Sequence, residues 1–176
     1  MKTKFNFVKV LLCATVLAVG VGCSENDTVY SDDENKLVAA KASLTKFNFN
    51  TSLKGRNEVP AVDSQGTGQA SVKIAKDEKS IYFKVTASNV ENVRAMHFHM
   101  APAGQNGGVV AFLFSNPNQP SGPQNGVLAE GTLTEANVIG ALAGDLDGLI
   151  EAIRSGNIYV NLHTSAVPSG ELRGQL

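Results

Sequence analysis

The chain has 176 residues, 43% of them hydrophobic, with 15 basic and 16 acidic side chains. A near-neutral chain with no Lys/Arg cluster lacks the electrostatic footprint of a nucleic-acid binder. Its two cysteines, Cys13 and Cys23, both lie near the N-terminus, so the rest of the chain has no internal disulfide and must be held by packing.

Lys2, Lys4 and Lys9 give the chain a positive start, and Val8 to Val21 is nearly all apolar. That run is short for a membrane span and suits the apolar region of an export signal. It ends at Gly20-Val21-Gly22-Cys23. Small residues before a cysteine resemble a lipobox, with Gly20 where Leu is usual. The resemblance implies cleavage by signal peptidase II and lipidation of Cys23, with an ordinary secretory signal as the alternative. The expected organisation is a signal peptide over 1–22, a lipidated Cys23 with a flexible acidic tether over 23–42, and one domain over 43–176. Loss of the three lysines leaves 12 basic against 16 acidic groups, a net charge near −4. The expected location is the bacterial outer membrane, on its periplasmic or its external face, with the membrane itself as partner through the lipid at Cys23.

Ser24 to Lys36 carries Glu25, Asp27, Asp32, Asp33 and Glu34 and almost nothing apolar, which predicts a tether that cannot fold alone. The acidic stretch after the cysteine resembles surface-export signals of lipoproteins, and Asp27-Thr28-Val29 resembles a bacterial O-glycosylation triplet. A plain flexible linker accounts for both.

From Ser43 onward the dominant signal is period-two alternation. Phe47 and Phe49 share a face. Val72 and Ile74 alternate with Ser71 and Lys73, and Ile81, Phe83 and Val85 alternate with Tyr82, Lys84 and Thr86. Met96 to Met100 follows, then Val109 to Phe114, an apolar run fit for a buried strand. Gly126 to Leu133 suggests another strand, and Ile158 to Thr164 and Glu171 to Leu176 alternate again. Turns rich in Gly, Pro, Asn and Asp divide these runs. Between Thr134 and Gly156 the apolar spacing turns helical. Thr134 could start one short helical turn, and Asp145 could cap a second helix that stops at Gly156. Seven or eight strands with one or two short helices between residues 134 and 156 predict an all-β Greek-key sandwich or partly open barrel.

All three histidines lie on strand-like motifs. His97 and His99 are two apart, so they share a face opposite to Met96, Phe98 and Met100. Tyr159, Asn161 and His163 likewise share a face opposite to Ile158, Val160 and Leu162. If the two strands are neighbours, three imidazoles gather on one polar surface.

Three blocks then carry a family pattern. Leu53-Lys54-Gly55-Arg56-Asn57-Glu58-Val59-Pro60 resembles the opening of the CHRD domain, with Ala61 where a second proline is usual. His97-Phe98-His99 with Ala103-Gly104-Gln105-Asn106-Gly107-Gly108-Val109-Val110 resembles its centre. Gly156 to Thr164 and Pro168 to Leu176 resemble its close. The blocks occur in order and span nearly all of residues 47 to 176. The resemblance implies an exported β-rich domain and names no biochemical activity. An H-x-H strand followed by a later strand histidine is also similar to the copper side of Cu/Zn superoxide dismutase, but this chain has no fourth histidine to bridge to zinc.

Two readings of the histidines stand. In one they form a three-nitrogen site for Cu or Zn, with an open position for water or another ligand and with Glu171 as an outer acceptor or fourth ligand. In the other, His97, His99 and His163 are strand-end fasteners in a polar network with Glu58, Asn161, Glu171 and Arg173. There is no Gly-x-Ser-x-Gly elbow and no Walker loop. Ser43-Leu44-Thr45-Lys46 lacks the companion motifs of Ser-x-x-Lys enzymes. Asp145-Leu146-Asp147-Gly148 lacks the further ligands of a calcium loop and reads as a helix cap. The function expected first is therefore a non-catalytic binding or structural module with a protein or glycan partner, and second a metal-binding envelope protein.

Overall fold

The computed structural model describes residues 46–116 and 121–176, together with residues 33, 35–38 and 41 ahead of them. The signal segment, Cys23, the Asp27–Val29 triplet and much of the expected tether lie outside the described residues. Residues 33, 35–38 and 41 have helical backbone and exposed side chains, within a stretch expected to be an unstructured tether. Lys36 and Leu37 are good helix formers, so local propensity supplies the reason. Among the described residues no helix is long and apolar enough to cross a membrane.

Eight strands form one antiparallel sheet: β1 Asn48–Lys54, β2 Thr67–Ile74, β3 Ile81–Glu91, β4 Val93–Met100, β5 Gly108–Ser115, β6 Pro123–Leu133, β7 Ile158–Thr164 and β8 Leu172–Gln175. Their spatial order is β5-β4-β7-β8-β1-β2-β3-β6. The sheet curls into a nearly closed barrel with β5 and β6 as its two edges, the partly open form of the expected all-β architecture. Only Asn92 separates β3 from β4, although the two strands stand near opposite edges. The chain turns this corner at Asn92 (φ 52°), whose side-chain oxygen accepts from the Gly122 amide at 3.0 Å and whose carbonyl accepts from the Ser165 amide at 3.0 Å.

Alternation sends Leu53, Val72, Ile81, Phe83, Val85, Met96, Phe98, Val160, Leu162 and Leu172 into a single core. The pairing between β1 and β8, in the middle of the sheet, is narrow: Lys54 and Arg173 are their one registered pair. A Cβ at Gly174 would sit 2.7 Å from Leu53 and 2.8 Å from the Ser52 carbonyl, so glycine there allows the two backbones to approach.

The expected helices appear in reduced form. Thr134 and Asn137 make a reciprocal capping box around a 3-10 turn, Glu135–Asn137. The helix α1, Leu146–Arg154, is capped by Asp145, whose carboxylate accepts from the Gly148 amide at 2.8 Å, and the chain leaves it at Gly156 (φ 72°). Leu149, Ile150 and Ile153 enter the barrel core, and Arg154 pairs with Glu78 of the β2–β3 turn at 2.6 Å. One expectation needs correction. The run Val109 to Phe114 is not a fully buried strand: β5 is an edge, and Phe112 is 52% exposed. A continuous apolar run does not by itself distinguish a central strand from an edge.

Candidate metal centre

β4 and β7 are neighbours in register. His97 faces Asn161, His99 faces Tyr159 and Ala95 faces His163. The three histidines therefore occupy one face, opposite to the core residues Met96, Phe98, Val160 and Leu162. That face is the outside of the barrel wall, and it is not left to solvent. Both faces of β7 are buried or nearly so, the inner by the core and the outer by loops. Three loops contribute here: residues 55–66, 101–107 and 165–171. The Asn106 amide donates to the Val59 carbonyl at 2.6 Å and ties the first two together.

Under this cover the side chains of His97, His99 and His163 each offer one ligand atom, all within 4.8 Å of one another. A ring nitrogen in a neutral imidazole is either a donor or an acceptor, and the partners decide which. Nδ1 of His99 lies 2.9 Å from the Gly107 carbonyl, and Nδ1 of His163 lies 3.0 Å from the Pro168 carbonyl. A carbonyl only accepts, so both Nδ1 atoms carry the proton and both Nε2 atoms are left bare. Nδ1 of His97 lies 3.0 Å from Nε2 of His163 and donates to it. The Nε2 atoms of His97 and His99 are buried and have no hydrogen-bond partner.

Electrostatics keep these rings neutral. Burial, then the neighbouring His163 and His99, hold His97 down at about 4. Burial also lowers His99, helped by the charges of His163 and Arg173 and opposed by its bond to Gly107. Burial lowers His163 against the bond to Pro168. Neutral imidazoles whose far nitrogens are fixed by backbone carbonyls are the form in which histidine binds a metal.

The expected polar network divides in two. Asn161 donates to Glu58 at 2.6 Å, and burial pushes Glu58 up to about 7, against the pull of the Asn161 bond and the Arg173 charge. Arg173 is 2% exposed; its guanidinium lies 3.5 Å from the centre of the Tyr159 ring and donates to the Gln105 carbonyl and the Asn106 side chain. Glu171 stands elsewhere, accepting from Ser64 at 2.7 Å and Thr164 at 2.6 Å. The ring N–H groups of His99 and His163, for which the sequence offers Glu171 as one candidate acceptor, are accepted by the carbonyls of Gly107 and Pro168. A backbone carbonyl has no sequence signature, so the sequence points only to side chains.

Tyr159 shares this face, as the alternation predicts, and has a role that alternation alone does not show. Its ring stacks on His99, with centroids 4.9 Å apart and planes 10° apart, and its hydroxyl accepts from the Gly107 amide at 3.2 Å. Gly107 itself has no room for a side chain, because a Cβ would run into the Met100 carbonyl. Phe112 sets its ring edge against His97 at 4.6 Å, and only the β4–β5 pairing reveals that contact.

A family model of the CHRD domain matches residues 49–176. No curated protein and no solved structure matches the chain at a significant level.

Proposed function

The chain belongs to the CHRD domain family, and from that premise we propose that it is an exported, envelope-anchored binding module whose three histidines hold a transition-metal ion, Cu(II) or Zn. One observation carries the metal reading: two buried imidazole Nε2 atoms without a partner stand beside a third histidine, with their Nδ1 protons committed elsewhere. A buried polar atom without a partner costs free energy, on the order of 1–3 kcal/mol. A bound metal would recover that cost at His97 and His99 together. Imidazole suits both ions. Ligand nitrogens around tetrahedral zinc are about 3.3 Å apart, so a set within 4.8 Å closes by small ring rotations. Nε2 of His163 completes the set once it exchanges the hydrogen bond from His97 Nδ1 for the metal.

Anchoring rests on the apolar run Val8 to Val21 followed by Gly22-Cys23, with lipid on the cysteine and the acidic stretch as spacer. The role is binding rather than catalysis: Glu58 and Glu171 are each engaged with neutral side chains, and His99 and His163 are braced by main-chain carbonyls.

The test is metal content and copper and zinc titration of the purified protein, beside a variant with His97, His99 and His163 all changed to Ala. Stoichiometric binding in the wild type and its loss in the triple variant are expected. Metal at a hundredfold excess over its Kd adds about 2.7 kcal/mol to stability, a visible rise in melting temperature. His99→Ala should show no such rise. Equal rises in both proteins would sink the metal reading and leave the histidines as fasteners of the 101–107 and 165–171 loops.

A further inference from the structure

Among the described residues the ligand set is His97, His99 and His163, and no acidic side chain belongs to it. Glu58 accepts from Asn161, and Glu171 accepts from Ser64 and Thr164, so both carboxylates have partners of their own. Aromatic rings flank the cluster. Phe112 sets its edge against His97 at 4.6 Å, and Tyr159 stacks on His99 at 4.9 Å. The Nε2 atoms of His97 and His99 are buried from solvent. The charge built against this face is positive: the guanidinium of Arg173, 2% exposed, lies 3.5 Å from the centre of the same Tyr159 ring.

We infer that the three-histidine centre holds copper as Cu(I) more tightly than as Cu(II). The inference rests on the metal reading above and changes only the oxidation state of the copper. Ligand softness does not decide between the two, because imidazole serves copper in general. Charge decides. The cost of taking an ion out of water rises with the square of its charge, and three neutral ligands offset none of it by charge pairing. Arg173 repels a second positive charge on the metal within the same low-dielectric surroundings. Geometry acts in the same sense. Three nitrogens satisfy a trigonal Cu(I), whereas Cu(II) favours tetragonal sites with further ligands. Nδ1 of His99 and of His163 stays protonated on its carbonyl in either state, so the two states differ by one electron and no proton. Cu(I) taken up as such needs no redox step at the site.

The test measures both dissociation constants on the purified protein. Cu(I) is titrated anaerobically against the chelator bicinchoninate, and Cu(II) against nitrilotriacetate, beside the variant with His97, His99 and His163 changed to Ala. Cu(I) should bind about a hundredfold more tightly, which places the potential of the bound copper about 120 mV above that of the aqueous couple. Arg173→Gln removes the charge and should narrow the gap about tenfold, while Arg173→Lys keeps the charge and should preserve it. Equal affinities, or tighter binding of Cu(II), overturn the inference and leave the metal reading standing. An unchanged gap in a folded Arg173→Gln, or equal narrowing in Arg173→Lys, overturns the part assigned to the Arg173 charge. The wild-type ratio decides the preference even where neither variant folds. Binding of neither state beyond that of the triple variant overturns both readings.

Discussion

Phe98 and His99 are neighbours in sequence with opposite duties. Phe98 is fully buried in the barrel core, while His99 is half-buried on the outer face with one bond to a loop carbonyl and a stack on Tyr159. Truncating the phenylalanine removes a large buried aromatic, so Phe98→Ser should cost about 3–5 kcal/mol. His99→Ser loses a single hydrogen bond and part of a ring contact, and should cost about 1–2 kcal/mol in the metal-free protein. Urea denaturation of the two variants separates them. Equal losses would mean that the histidine cluster supports the fold as heavily as the core does. The alternation of β4 made this contrast legible in the sequence. The carbonyls of Gly107 and Pro168, which set the tautomers of His99 and His163, were not legible, because every residue has a carbonyl and only the loop path brings one to a ring.

At the scale of elements, β4 and β7 act as a frame whose outer face would be bare without three loops, whose regular structure is a single 3-10 turn, Gly55–Asn57. The helix α1 is a plug at the opposite duty. It closes the barrel end where β1 begins, with Leu149, Ile150 and Ile153 in the core and Arg154 tied to Glu78. Its start depends on the Asp145 carboxylate, which takes the Gly148 amide. Asp145→Ala should therefore lose about 1 kcal/mol, read as a lowered urea midpoint with an unchanged slope. Copper or zinc binding should be unaffected, because α1 contributes no residue to the cluster; a drop in metal affinity would show that the barrel end and the outer face are coupled. The cap and the stop at Gly156 were both readable, since each is a local rule. The place of β5 at an edge was not, because strand order is fixed by pairings distant in sequence.

For the whole molecule, two buried groups pull stability in opposite directions as pH changes. His97 titrates at about 4 in the folded protein and at 6.5 when free, so between those values the unfolded chain holds more protons. Stability is then lost as pH falls through that window, and the lowered values of His99 and His163 act in the same sense. Glu58 is raised from 4.5 to about 7, so there the folded chain holds more protons and stability is lost as pH rises. The two slopes oppose one another over their shared range. Glu58→Gln removes the second, and the metal-free variant should gain stability with pH more steeply than the wild type between about pH 5 and pH 7. Urea melts at three pH values test this. Parallel profiles would show that Glu58 is not buried as an acid.

The sequence by itself determined the all-β class, the face on which each strand residue lies, the helix cap at Asp145 and the family, because alternation, capping and motif spacing are local and survive without knowledge of neighbours. It also determined that His97 and His99 share a face. That His163 joins them depended on β4 lying beside β7, a pairing across more than fifty residues that no local rule encodes. The tertiary structure alone decided that Glu171 stands apart with Ser64 and Thr164, and that Tyr159 and Arg173 form a stacked support under His99. It also decided that loops bury the outer face of the barrel at β7 and around His97. The physical reason is the same in each case: strand order and loop path set which polar groups lose their water together, and that shared burial, rather than residue identity, turns three polar-face histidines into a neutral, partner-seeking cluster.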